Sequence, residues 1–181
     1  MRIIGGTHGG RILKPPKTFR ARPTTDIARE GLFNILNNHF DFEGLSVLDF
    51  FAGTGSIGME FASRGASAVT MVEMNFHHYS FINRTLQELH MDHAKVIRAD
   101  FFKIIHKLKG EYDIVFADPP YDLNEFIRVP ELILGAKIIK PGGWFILEHS
   151  GSYDFKSLSG FSDLRKYGSV HFSFFRCEDK V

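Results

Sequence analysis

At 181 residues, with 44% hydrophobic and 24% charged residues, the chain has the size and make-up of one globular domain with a sizeable core, which excludes a disordered polypeptide. No apolar run approaches the roughly 20 residues of a membrane helix, Met1–Gly6 carries no secretory apolar segment, and the lone Cys177 has no internal partner, so a cytoplasmic monomer is expected. The net charge of +1 is uneven: residues 1–30 hold Arg2, Arg11, Lys14, Lys17, Arg20, Arg22 and Arg29 against Asp26 and Glu30, a net of +5 that leaves −4 for the rest.

Residues 1–23 mix glycine, proline and basic residues and read as short strands and loops broken at Pro15-Pro16. Such a cluster suits a surface that meets phosphates; a solvated, flexible arm is the alternative. Thr25 is a candidate N-cap for a helix over 26–39, with Ile27, Gly31, Ile35 and Leu36 at helical spacing. A regular alternation follows. Strands are expected at Ser46–Phe50, Ala68–Glu73, Ala94–Arg98, Tyr112–Ala117 and Trp144–His149. Helices are expected near 56–64, 76–90, 101–108 and 123–138, with Pro141-Gly142-Gly143 turning the chain into the fifth strand. Asp163–Tyr167 and Val170–Arg176 flank Gly168-Ser169 as an antiparallel hairpin. The expectation is an α/β Rossmann-like fold with a mostly parallel seven-stranded sheet, closed by a C-terminal antiparallel hairpin and preceded by a small basic extension. The domain division is a basic extension over 1–24 and an α/β domain over 25–181.

The first strand ends in Asp49 and runs into Gly53-Thr54-Gly55-Ser56-Ile57-Gly58. Gly53 and Gly55 let the backbone approach a ligand and deliver it to a helix N-terminus. The glycine spacing also satisfies a dinucleotide fingerprint. Asp49 would repel a pyrophosphate but suits a ligand with a cationic amino-acid end, which leans toward S-adenosylmethionine. Glu73 stands where a carboxylate would hold ribose hydroxyls in either case. Asp118-Pro119-Pro120-Tyr121 follows the fourth strand. Its prolines stop the sheet and leave carbonyls free to accept hydrogen bonds. The lone pair of a base's exocyclic amine is delocalised into the ring. Acceptors at Asp118 and at the Pro119 carbonyl would bind its two N–H groups, and Tyr121 would stack on the base. His90-x-x-His93 is read as surface rather than metal-binding, and Phe50, Phe51, Phe61 and Phe116 as core. Glu148-His149 closes the fifth strand near the ligand edge, with a pocket-wall role open.

Over nearly its whole length the chain resembles the RsmD-type methyltransferases, which act on the guanine N2 amine of 16S ribosomal RNA. The resemblance rests on Arg2–Gly6 with Gly10-Arg11, Arg22-Pro23-Thr24-Thr25-Asp26 with Arg29-Glu30, and Leu32-Phe33-Asn34. It also rests on Asp49–Gly58, Glu73, Asp100, Asp118–Tyr121 and Lys166-Tyr167-Gly168. It implies S-adenosylmethionine as cofactor, with Asp49, Ala52, Gly53, Thr54 and Gly55 at its methionine part, Glu73 and Met74 at the ribose, and Asp100 and Phe101 at the adenine. It implies Asp118, Pro119, Pro120 and Tyr121 at the target base. Arg2, Arg11, Lys14, Lys17, Arg22, Thr24 and Arg29 would meet the RNA, and the substrate would be the small ribosomal subunit or an assembly particle. Two departures stand out: Gly31 replaces an expected alanine, at a helix cost of about 1 kcal/mol, and Ser169-Val170-His171 replaces small polar residues. A DNA adenine-N6 methyltransferase could use the same Asp-Pro-Pro-Tyr chemistry, although 181 residues leave no room for a target-recognition insertion. A non-enzymatic RNA-binding factor on the same fold is the third reading.

Overall fold

A computed structural model describes residues 1–16, 19 and 25–178. Lys17, Arg22 and Thr24 lie outside the described residues. The chain builds one seven-stranded sheet from β1 (Ser46–Phe50), β2 (Ala68–Glu73), β3 (Ala94–Arg98), β4 (Tyr112–Ala117), β5 (Ile139–His149), β6 (Phe161–Tyr167) and β7 (Val170–Arg176). The strand order is β3-β2-β1-β4-β5-β7-β6. The first five strands are parallel, and the β6–β7 hairpin adds antiparallel to β5. The order reverses between β1 and β4, which opens a crevice at the carboxyl ends of those strands.

Helices α1 (Asp26–Asn37), α2 (Ser56–Ser63), α3 (Phe76–Glu88), α4 (Phe101–Ile104) and α5 (Arg128–Gly135) cover the sheet. Alternation along each strand divides the core in two. Val47, Met71, Phe116 and Ile146 face one cluster with residues of α1, α2 and α3. Leu48, Val72, Val115 and Leu147 face the other with residues of α4 and α5. Three expected elements differ. The helices expected over 123–138 and near 101–108 are only Arg128–Gly135 and Phe101–Ile104. Pro141-Gly142-Gly143 lies inside β5 as an irregularity rather than a turn before it, with the β4 register shifting between Tyr112 and Ile114. Outward hydrogen bonds hold that irregular stretch: Gly142 N–H donates to the Cys177 carbonyl and Cys177 N–H to that of Gly143, both at 2.9 Å.

The Thr25 hydroxyl accepts from Ala28 N–H at 3.2 Å, so the N-cap of α1 is as expected. The buried face is Ala28, Leu32, Phe33 and Leu36, one position round from the expected stripe, and Ile27 is 74% exposed. Gly31 has a packing reason. A methyl group there would collide with the Tyr167 ring of β6, so α1 approaches the hairpin only because the side chain is absent. Gly31→Ala is therefore expected to give none of the roughly 1 kcal/mol that alanine gains over glycine in an open helix. The gain should return in a Tyr167→Ala background. Urea unfolding of the four-variant cycle measures this, and a coupling below about 0.5 kcal/mol would remove the steric account.

Residues 1–13 are not a loose arm. Arg2 bridges Ile12, Ile3 N–H donates to the Arg11 carbonyl at 3.0 Å and Gly10 N–H to that of Ile3 at 2.9 Å. Glu60, fully buried on α2, accepts from Ile4 N–H (2.7 Å), Gly5 N–H (2.8 Å) and Arg64 Nε (2.8 Å). Ser63 Oγ donates to the Gly5 carbonyl (2.6 Å) and accepts from His8 N–H (2.9 Å). Gly6 has φ +73°, and any side chain there would strike the Ser63 carbonyl. The Gly5-Gly6 pair thus lets the extension dock on α2.

Candidate active site

The carboxyl ends of β2, β1, β4 and β5 carry Glu73, Asp49, Asp118 and Glu148. Asp49 pairs in register with Met71 and Phe116, and Ala117 with Leu147. Because side chains alternate, all four carboxylates fall on the face shared with Met71, Phe116 and Ile146. They line one cavity of about 550 Å³, together with Phe51, Ala52, Gly53, Thr54, Met74, Asn75, Asp100, Phe101, Pro119, Pro120 and Tyr121. This volume suits a nucleoside-sized ligand.

Each group is held by neighbours. Asp49, 1% exposed, accepts from Gly58 N–H in the first turn of α2 at 3.0 Å. Withdrawal from water, followed by the negative charges of Glu73 and Glu148, outweighs that bond and pushes its carboxyl up to about 8. Glu73 accepts from Gly53 N–H (2.8 Å) and Asn75 N–H (2.6 Å), which ties the glycine turn to β2. Asp100 caps α4, accepting from Lys103 N–H at 3.1 Å. Asp118 opens on the cavity straight after β4; burial first, then Glu148 and Asp49, raise its carboxyl well above the ordinary range. Tyr121 Oη donates to Glu148 Oε1 at 3.3 Å, and the Tyr121 carbonyl accepts from Tyr153 Oη at 3.2 Å. Tyr153 stacks on Phe126 at 4.3 Å, so the loop after β5 braces the Asp-Pro-Pro-Tyr turn.

Most of the expected cofactor and base residues come together here, with exceptions. Gly55 does not line the cavity. It takes φ +75° to start α2, and a Cβ there would face Ile82 (3.0 Å) and Met59 (3.1 Å), so its side-chain space belongs to the core. Phe51 is not core; it lines the cavity with φ +58°, a conformation costly for a non-glycine residue, and packs 4.9 Å from Phe101. Met74, 63% exposed, forms the rim.

The expected RNA residues divide. Arg11 and Lys14 are exposed, and Arg2 is partly exposed against Asp26 (3.7 Å) and Glu30 (3.4 Å). Arg29 is a correction. At 2% exposure it is enclosed between α1 and the extension, donating to the Arg2 carbonyl and to Asp26 at 2.8 Å, so it holds the extension in place and is not offered to RNA. Among the described residues no group of three or more His, Cys, Asp or Glu is placed to hold a metal, and His93 Nε2 lies 3.1 Å from the Ala62 carbonyl. No helix among the described residues is long and apolar enough to cross a membrane.

Sequence reasoning assigned no role to Glu60 or Asn75. It also left Glu148 as a wall residue, although a carboxylate closing an apolar strand is itself a signal.

Four carboxyl groups line a largely apolar cavity, and burial raises Asp49 to about 8 and Asp118 well above the ordinary range, so their ionised forms call for a cationic neighbour. A ligand with a positive amino-acid end, ribose hydroxyls and an adenine matches Asp49, Glu73 and Asp100 in turn.

A family model described as "Conserved hypothetical protein 95" matches residues 1–176. The chain is 33% identical over 153 residues to the "Putative rRNA methyltransferase YlbH" of Bacillus subtilis, covering 82% of each. It is 34% identical over 152 residues to the "Ribosomal RNA small subunit methyltransferase D" of Buchnera aphidicola subsp. Baizongia pistaciae, covering 84% of this chain and 77% of that one. The solved "Putative methyltransferase yhhF" from Escherichia coli superimposes with a TM-score of 0.86 at 27% identity, over 99% of both chains. More distant structures sharing the fold include methyltransferases solved with S-adenosylhomocysteine.

Proposed function

Because the chain belongs to the family described as conserved hypothetical protein 95, the RsmD-type methyltransferases, we propose that it methylates the exocyclic N2 amine of a guanine in the 16S RNA of the small ribosomal subunit, using S-adenosylmethionine. The observation that carries this reading is the single cavity running from Asp49, Glu73 and Asp100 to Asp118, Pro119 and Tyr121. A cofactor and a flipped base placed at its two ends would meet.

S-adenosylmethionine, when bound, supplies an electrophilic methyl on a positively charged sulfur. Asp49, fixed by the Gly58 amide, faces the amino-acid end, and the Gly53 turn gives the backbone room to approach. Glu73 uses acceptor capacity beyond its two backbone bonds for ribose hydroxyls. Asp100 accepts from the adenine amine, with Phe101 at the ring. At the other end, Asp118 and the Pro119 carbonyl accept the two N2–H bonds of the target guanine and aim the nitrogen at the methyl. Tyr121, braced by Glu148 and Tyr153, stacks on the base, and Pro120 stiffens the turn. On methylation the amine would gain the methyl group and release one proton, which Asp118, a stronger base when ionised because burial raises its carboxyl, would accept. Catalysis is then positioning and electrostatics. Residues 1–24 form the RNA-binding extension, presenting Arg11 and Lys14 to the phosphates, and the enzyme works as a cytoplasmic monomer.

The test is to incubate the protein with methyl-labelled S-adenosylmethionine and small ribosomal subunits from cells lacking the enzyme, then digest the RNA. Label in N2-methylguanosine is expected. Label in another nucleoside, or in N6-methyladenine of added DNA, would overturn the assignment of the base.

A further inference from the structure

Glu148 is 3% exposed, yet it lines the cavity. It sits on β5, which lies beyond β4 from the β1–β2–β3 side that carries Asp49, Glu73 and Asp100. The cofactor end is therefore across Asp118 from it. The β4–β5 register pairs Ala117 with Leu147, so the next residues, Asp118 and Glu148, stand side by side on one face. The Glu148 carboxylate accepts from Tyr121 Oη at 3.3 Å. What a carboxylate offers and a glutamine does not is a group that only accepts.

Guanine's Watson–Crick edge beside the target carries three donor hydrogens, one on N1 and two on N2. Adenine and cytosine each carry two on the amine, next to a ring nitrogen that accepts. Asp118 and the Pro119 carbonyl answer the amine alone and would serve any of the three bases. We propose that Glu148 is a specificity-determining residue, its carboxylate accepting the N1–H of the target guanine beside Asp118. This inference rests on the guanine-N2 reading. A carboxylate has about four acceptor sites, so Glu148 can keep Tyr121 in place while it takes the base. The same carboxylate faces the ring nitrogen of adenine lone pair to lone pair, which rejects that base by repulsion as well as by a missing bond.

The test first locates the nucleotide that the wild type labels in small subunits. Ligated 16S RNA is then assembled into particles carrying guanine or 2-aminopurine there, since 2-aminopurine keeps the 2-amino group and lacks the N1 proton. The wild type is expected to prefer guanine in kcat/KM by on the order of 100-fold. Glu148→Gln, whose amide can donate to an unprotonated N1, is expected to shrink that preference below about tenfold, with S-adenosylmethionine affinity by calorimetry within about threefold of wild type. A merely structural residue would lower both substrates together and leave their ratio alone. The inference fails if the wild type uses 2-aminopurine within about threefold of guanine, a result that does not depend on the variant folding, or if Glu148→Gln keeps the full preference. Absence of N2-methylguanosine from the wild-type reaction would instead overturn the function on which it rests.

Discussion

Asp118→Ala is expected to lower methyl transfer by roughly 10²–10³-fold or more while S-adenosylmethionine still binds. Asp118 leaves β4 where Pro119 and Pro120 hold the chain rigid, and its N–H lies 3.4 Å from the Phe50 carbonyl, the last residue of β1. Its side chain opens toward the base end of the cavity. In the proposed arrangement Asp49, Glu73 and Asp100 hold the cofactor, and the substitution leaves them in place. Removing one of the amine's acceptors leaves an N–H without a partner in a dry site and also removes the base that takes its proton. Asp118→Asn separates the two losses: it keeps an acceptor oxygen but no proton acceptor, and should fall between alanine and wild type. Single-turnover label transfer with calorimetric binding measures both quantities. Normal turnover by the alanine variant would take Asp118 out of the chemistry.

The second large effect is at Asp49 and depends on pH. Its carboxyl, pushed up to about 8 by burial and by Glu73 and Glu148, is largely protonated in the empty protein at neutral pH. A cationic ligand needs the carboxylate, so binding should expel about one proton near pH 7, and affinity should rise with pH by up to about tenfold per unit until it levels above 8. The stability of the empty protein carries the opposite slope. Between the ordinary value of 3.8 and about 8 the folded state holds a proton that the unfolded chain has released. The unfolded state binds fewer protons, so stability falls as pH rises through that window. Asp49→Asn should therefore stabilise the empty protein at pH 8 by at least about 1 kcal/mol, lose that advantage toward pH 4, and bind S-adenosylmethionine at least about tenfold more weakly with a flat pH profile. Calorimetry in buffers of different ionisation enthalpy counts the proton. Binding without proton release at pH 7 would show that Asp49 is not the group facing the cation.

Much of this protein is legible in one dimension because the signals are local. Five apolar runs, each closed by a polar residue or a glycine, mark β1 to β5. Thr25 marks the start of α1, and the Gly168 turn marks the β6–β7 hairpin. The Asp49–Gly58 and Asp118–Tyr121 segments carry their chemistry in consecutive residues, and both line the cavity they implied, Phe50, Gly55 and Gly58 excepted.

What the tertiary structure alone decides are the meetings between segments far apart in the chain. Arg29 looks like a cation for phosphate until α1 folds against the Arg2 carbonyl and encloses it. Gly31 looks like a weak point in a helix until Tyr167, on β6, occupies its space. Glu60 shows only its i,i+4 neighbour Arg64 in sequence, because its other partners are backbone amides 55 and 56 residues away. Glu148 becomes part of the site only when β5 aligns with β4 and sets it beside Asp118. Periodicity along a chain reports which face of an element is apolar. Strand order and register determine which faces and ends meet, and they are set by the packing of the whole sheet.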